Sequence, residues 1–490
     1  MEIRFNRTTA TRWLVTAAAS GFSMFAAEAE AFGASFTMTS SPALKQSFNS
    51  AGLDYTTTCP TGNVSLTLST PSGTYAYVNG KRVKTGRTVT KVALTPGKRA
   101  KVSTKRGSTT TEYSVRCLPS DFPGWTATGT LPVAASFVGL SVGTAGSWLT
   151  PYAIIADGRG VPIWWKYLPN ASAMDIKVFD GKIGTWTGNL VNEADGGPYS
   201  LFNLNGTKAK DINVVGARGD AHEALPSSSG TWYRIANVTR DHVDLSSLGG
   251  PADRSVIDQQ LQEIDSSGNV VWQWNTADHI APAETGRWFD LLNLVTGPTS
   301  AVDMIHLNSI AEDGTGGIVI SARHLDAVYR IRKSDGAITW KLGGTTTAQS
   351  LTVAGDTLPT PFAGQHDARP QPDGTITVYD NGSGYSDRTA RALRWSVNTS
   401  TNTATLVERL TDLNITATSA AGGGARRLAD GSWIVSWCSY PYVRAYSPSH
   451  RKVFDMKFAG SGRSYRAIPI TSSQVTRAQL VAGMDAQFGG

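Results

Sequence analysis

The chain has 490 residues, 17% of them charged, a formal net charge of +7 and only three cysteines. That length holds a large core and more than one domain. The low charge, the abundance of Gly, Thr and Ser, and the short β-branched runs favour an all-β chain over an α/β one. Three cysteines at such wide spacings exclude a zinc ribbon or finger.

Residues 1–31 read as an export signal. Arg4, Arg7 and Arg12 form a basic start, and Leu14 to Ala27 is apolar but too short to span a bilayer. Ala27-Glu28-Ala29 and Ala29-Glu30-Ala31 both fit a small-residue cleavage site. No other stretch is apolar enough to cross a membrane, so a secreted, soluble protein is expected. Residues 32–50 are rich in Ser, Thr and Ala and are expected to form a flexible lead. Residues 51–120 carry short alternating runs, VSLTLST, YAYVNG, KVALTP and EYSVRC, between Gly, Pro and Asn turns. This spacing predicts a small β-sandwich over 32–120. Cys59 and Cys117 bracket it and are expected to pair, whereas Cys438, in SWCSYP, is expected to be a buried free thiol.

The positive charge is concentrated here. Residues 81–106 hold ten Lys or Arg and no acid. The segment 32–120 carries about +10 and the rest of the mature chain about −3. The basic domain is either a solvated face or a contact to an anionic cell wall or polymer. Residues 81–106 contain no aromatics to interleave with the cations, which argues against nucleic acid. Residues 121–150 read as a linker leading into a second domain, 151–490.

That second domain is built on a repeat. His222, His306 and His366 each lie eight residues before a turn glycine, Gly230, Gly314 and Gly374. Ala173 and Gly423 occupy the same slot before Gly181 and Gly431. A second signature, G-x-x-x-W, recurs at Gly160–Trp164, Gly268–Trp272 and Gly336–Trp340, and strands of the type Val328-Tyr329-Arg330-Ile331 come before its turns. A unit thus has about four strands, which fits the blades of a propeller. Insertions at 275–302 and 345–362 account for the uneven spacing.

Equivalent strands of a propeller line its central channel. Side chains alternate along a strand, so His222, His306 and His366 are expected to converge, with Asn308 on the side of His306. Arg323, in the return strand, is expected to flank the same mouth. Alternation turns Glu223, Asp367 and His324 away, the two acids toward backbone or turns. His242, His279 and His450 are expected at the surface, and Asp265, Asp335, Asp373 and Asp430 in hairpin turns. Three imidazoles, an amide and a guanidinium without a channel carboxylate suit an anion and sulfuryl or phosphoryl transfer. Three histidines equally suit a metal.

The series His306-Leu307-Asn308-Ser309-Ile310, Ser321-Ala322-Arg323-His324, Trp340-Lys341-Leu342-Gly343-Gly344, Gln365-His366-Asp367-Ala368-Arg369 and Tyr379-Asp380-Asn381 resembles the arylsulfate sulfotransferase family. The likeness is strong over 303–385 and weaker over 150–460. It implies an exported six-bladed β-propeller enzyme that moves a sulfuryl group from a phenolic sulfate ester to a phenol through a sulfated histidine. It implies no nucleotide donor, no cofactor and no metal. On this resemblance His366 matches the nucleophile, His306 and Arg323 the groups that bind the sulfuryl oxygens, His222 a further channel histidine, and Asn308 a supporting residue. Some members form dimers through an N-terminal β-domain, so an oligomer is an open expectation. A sulfatase, a metal-dependent lyase and a non-catalytic binding propeller are the alternatives on the same scaffold.

Overall fold

The computed structural model describes residues 35–143, 150–189, 196–297 and 300–489. The expected export signal, 1–31, lies outside the described residues. Among the described residues the chain is all-β apart from short helical turns and two helices, Trp288–Val295 and Arg477–Phe488.

The first unit has two sheets. One runs Thr37–Ser41, Asn63–Thr70, Gly86–Ala93, and the other Asp54–Thr58, Thr109–Leu118, Arg99–Arg106, Thr74–Val78, Lys81–Arg82. The stretch expected as a flexible lead thus supplies an edge strand, held because Phe36 and Met38 are buried in the core. Alternate residues of both sheets, among them Met38, Leu66, Leu68, Ala76, Val102 and Val115, share one apolar core. Cys59 and Cys117 are joined by a disulfide with Cα atoms 5.9 Å apart.

Beyond this unit, six antiparallel sheets follow among the described residues, each with four consecutive strands or their equivalent. Five begin at the predicted slots. Their inner strands are Ser172–Phe179, Arg218–Pro226, Leu307–Glu312, His366–Pro370 and Gly424–Arg427. Gly314 and Gly374 take φ of +74° and +79°, as the tight turns after the third and fourth inner strands require. The sixth inner strand is Arg463–Ile470, close to the chain end, which pairs with Phe137–Gly143. Each inner strand touches the next, and the sixth touches the first, so the six close into a ring. Trp164, Trp272 and Trp340 lie on the outermost strands, where the G-x-x-x-W signature places the fourth strand of a unit.

The sheets are apolar on both faces, and this stacks them. Tyr233, Ile235 and Leu261 of the second pack on Ile310, Ile318 and Ile320 of the third. Val319, Val328 and Leu342 of the third pack on Val378, Leu393 and Trp395 of the fourth. Each fully buried side chain of this size contributes roughly 1.5–3 kcal/mol by leaving water.

The described part of 121–150, expected as a linker or entry strand, is woven into two sheets. Trp125–Gly129 extends the fifth sheet along Lys452–Phe458, and Phe137–Gly143 is a central strand of the sixth. Its alternating Trp-Thr-Ala-Thr-Gly is strand-compatible, and an unpaired outer edge receives it. The two units also meet through the C-terminal helix. Asp485 accepts from Arg99 Nε and Arg116 Nη2 at 2.9 Å each, and Arg477 binds Asp54 at 2.5 and 2.9 Å.

Candidate functional site

A cavity of about 290 Å³ opens at one end of the ring. His222, His306 and His366 line it together, as the shared slot predicts. Their rings stand 4.8 Å apart for His222 and His306, and 5.7 Å apart for His222 and His366. The sixth inner strand adds Tyr465, whose ring lies 5.3 Å from His366 and whose hydroxyl lies 3.4 Å from His366 Nε2. Arg218 and Asn237 add polar groups, and Met174, Trp186 and Ile257 form an apolar wall.

The expectation of a channel without carboxylates is overturned. Asp220 and Asp303 both line the cavity. Asp220 Oδ1 lies 2.8 Å from His222 Nδ1, and Asp303 Oδ2 lies 2.5 Å from His306 Nδ1. Each carboxylate fixes its ring through Nδ1, which leaves Nε2 as the working nitrogen. The sequence signal was present as D-x-H at 220–222 and D-x-x-H at 303–306. Asp303 belongs to the short strand Val302–Asp303 that ends the 275–302 insertion and pairs with Arg254–Ile264.

Strict alternation along the inner strands fails, because these strands are bulged. Pairing slips between Gly219 and Ala224, between Leu307 and Ser309, and between His366 and Arg369. His306 and Asp367 take φ of +56° and +60°. A bulge re-aims side chains, so Asn308 does not share the cavity with His306. It is buried beneath, where its Nδ2 donates to Gln365 O at 2.9 Å and its Oδ1 accepts from Asp367 N at 3.2 Å. It holds the backbone on both sides of His366.

Arg323 is likewise outside the cavity lining. It begins a short 3-10 turn after its strand, lies 4.6 Å over the Trp288 ring, and donates from Nη2 to Ala420 O at 2.6 Å. The next residues, Ala421 and Gly422, line the cavity, so Arg323 braces the rim. Burial, with Arg287 nearby, lowers its pKa to about 10, which leaves it charged. His324 packs 4.5 Å from His306 with its Nδ1 on Asp303 O at 2.7 Å. Asp303, His306 and His324 present donor atoms within 4.8 Å of one another, a spacing that a metal could use.

Glu223 and Asp367 do not bond turns. With Asp175 they form the acidic part of a buried cluster under the cavity, facing Lys177, Arg369, Arg426 and Arg466. Arg426 clamps Asp367 at 2.7 and 2.8 Å, and Arg466 reaches Asp175 at 2.8 Å and the His222 carbonyl at 3.1 Å. The expectations for the remaining histidines, for Cys438 and for the turn aspartates hold. His242, His279 and His450 are exposed, Cys438 is a buried free thiol, and Asp265, Asp335, Asp373 and Asp430 accept from backbone N–H groups of their own turns.

The environments drive the histidines apart. Burial, the Arg466 charge and His222 push His366 well below the ordinary imidazole value, so it is neutral. Burial would also lower His222, but the charge and hydrogen bond of Asp220 outweigh it and raise the value. For Asp220 and Asp303, burial opposes ionisation, yet the histidines beside them hold both below the usual carboxylate range. Two neighbouring imidazoles whose proton affinities are pushed in opposite directions are suited to different roles in proton transfer.

Residues 199–459 match the family described as Arylsulfotransferase (ASST), which takes in more than half of the chain. The chain belongs to this arylsulfotransferase family. No curated protein matches it by sequence. Among solved structures it is similar to a protein of unknown function from Bacteroides caccae, at 11% identity and TM-score 0.42, covering 69% of this chain and 99% of that one. It is also similar to an inactive variant of virginiamycin B lyase from Staphylococcus aureus, at 12% identity and TM-score 0.35, covering 86% and 99%. Likenesses this distant carry no argument about function. For an arylsulfotransferase-family protein, small-molecule substrates are implied, and the cavity is of a size to take one.

Proposed function

We propose that the protein is an exported six-bladed propeller enzyme, with a β-sandwich domain ahead of it, that transfers a sulfuryl group from a phenolic sulfate ester to a phenol. The reaction runs through a sulfated His366 and needs no nucleotide donor. The observation that carries this reading is one cavity of an arylsulfotransferase-family chain in which buried His366, its Nε2 beside the Tyr465 hydroxyl, stands 5.7 Å ring to ring from His222, whose Nδ1 is held by Asp220.

His366 Nδ1 is enclosed without a partner, so Nε2, beside the Tyr465 hydroxyl, attacks sulfur. The N–S bond forms as the S–O(aryl) bond breaks, and the leaving phenolate takes its proton from His222 Nε2. Arg218 and His306 face the sulfuryl oxygens, where negative charge is spread in the transition state. Met174, Trp186 and Ile257 receive the aryl ring. A second phenol then gives its proton back to His222, its oxygen attacks sulfur, and the N–S bond breaks. The assignment of Arg218 replaces the expected role of Arg323, which supports the rim.

The test is intact-mass spectrometry of the mature protein with a chromogenic aryl sulfate, with and without phenol. A sulfuryl adduct that phenol discharges and that His366→Ala lacks is the expected result. Phenol-independent release would make the protein a sulfatase. The Asp303, His306 and His324 cluster favours a second reading in which a metal assists. Loss of turnover on chelation, restored by a divalent ion, would establish it in place of the first.

A further inference from the structure

The N-terminal unit carries a built surface that the sulfuryl chemistry does not use. In its five-stranded sheet, Tyr75 stands directly opposite Lys105, Tyr77 opposite Ser103 on one side and Arg82 on the other, and Ser103 opposite Glu112. Lys101 lies two residues before Ser103 on the same face. The residues between them, Ala76, Val102 and Thr104, are buried on the inner face. The outer face therefore presents Tyr75, Tyr77, Arg82, Lys101 and Lys105 together.

The cations on it are free of acids. Glu112 is the acid on this part of the face, and Arg99 holds it at 3.0 Å. Among the described residues no carboxylate pairs with Arg82, Lys101 or Lys105. The Arg82 guanidinium lies 4.0 Å over the Tyr75 ring, which fixes a charge beside an exposed aromatic. Tyr75 is 40% exposed. The C-terminal helix covers only the end of the face at Arg99 and Arg116, through Asp485.

We propose that this face binds an anionic polysaccharide. Rings on a flat sheet can pack against sugar faces, and the unpaired cations match carboxylate or sulfate groups along a chain. A lipid surface fits worse, because the face offers no aliphatic side chain to insert. Single-stranded nucleic acid also fits worse, because it needs a run of open rings for successive bases to stack on, and this face offers Tyr75 and a half-buried Tyr77.

The experiment titrates the full mature chain with polygalacturonate, dextran sulfate and uncharged dextran. Single-stranded DNA and anionic phospholipid vesicles are run beside them. Binding to one or both charged glycans, weakened at least about tenfold between 50 and 200 mM salt, is expected. Polygalacturonate alone would assign a carboxylate glycan, and dextran sulfate alone a sulfated one. Lys101→Glu with Lys105→Glu should abolish binding, and Tyr75→Ala should weaken it several-fold. Circular dichroism and thermal melting of both variants should match the parent. Binding that survives these variants, equal binding to uncharged dextran, tighter binding to DNA or vesicles, or no binding to either charged glycan would overturn the proposal. Should the double variant fail to fold, Tyr75→Ala and Arg82→Gln decide alone.

Discussion

Asp220 Oδ1 sits 2.8 Å from His222 Nδ1, and the same oxygen accepts from the His222 backbone N–H at 2.8 Å. One carboxylate thus fixes both the ring and the strand that carries it. The contact raises the pKa of this imidazole, while burial and the Arg466 charge push His366, 5.7 Å away ring to ring, well below the ordinary imidazole value.

This relationship sets a pH profile. The proposed reaction needs His366 neutral and His222 protonated, so activity should fall at alkaline pH as His222 loses its proton. With Asp220→Asn the cause of the raised value is gone, and the alkaline limb of kcat/KM should move to lower pH while the acid limb stays. An unchanged alkaline limb would remove His222 from proton transfer.

The two arginines can be told apart. Arg218 faces the cavity, so Arg218→Ala should lower kcat/KM for the aryl sulfate about a hundredfold, comparable to loss of one charge-stabilising donor. Arg323→Lys keeps the charge but loses the planar contact to Trp288 and the bond to Ala420 O. It should lower kcat/KM and also the melting temperature, because it loosens the rim. A loss in Arg323→Lys at unchanged stability, with Arg218→Ala active, would return the anion-binding role to Arg323.

Arg466 is the hub of the buried cluster, with Asp175, Glu223 and Asp367 around it. Arg466→Met leaves buried carboxylates with one cation fewer. A loss of about 3–5 kcal/mol is expected in denaturant unfolding. Unchanged stability would show that Lys177, Arg369 and Arg426 suffice.

The same cluster predicts acid sensitivity. Burial opposes ionisation of Glu223 and Asp367, but Arg369, Arg426 and Arg466 hold both below their ordinary values, with Lys177 adding to the effect on Glu223. Groups depressed in this way contribute stability that is present above their unfolded pKa of about 4 and is lost as pH falls toward the folded values. Melting temperature should therefore drop steeply below about pH 4, and less steeply in Arg466→Met. A flat profile down to pH 2 would contradict it.

The sequence by itself determined the repeat, the slot and the three histidines that share it. A turn glycine eight residues after each slot is a local requirement of a tight hairpin, and local requirements are written in the chain. The same holds for the outer-strand tryptophans and for the Asp side chains that cap their own turns. The family match agrees with motifs legible at 306–310 and 365–369.

What faces the cavity was decided by tertiary structure. Tyr465 enters only because the last strand closes the ring, and no turn motif marks it. Asn308 falls out of the lining because a bulge breaks the period of two, and a bulge is a property of two paired strands rather than of one; Arg323 falls out because its strand has already given way to a 3-10 turn. Asp367 and Glu223 point into a cluster whose cations come from four different sheets. Tyr75 and Tyr77 join the basic face because Thr74–Val78 pairs with Arg99–Arg106. Spacing along the chain fixes what each strand can be. Which side chains meet depends on how the sheets pair and close, and that is set by packing between residues far apart in sequence.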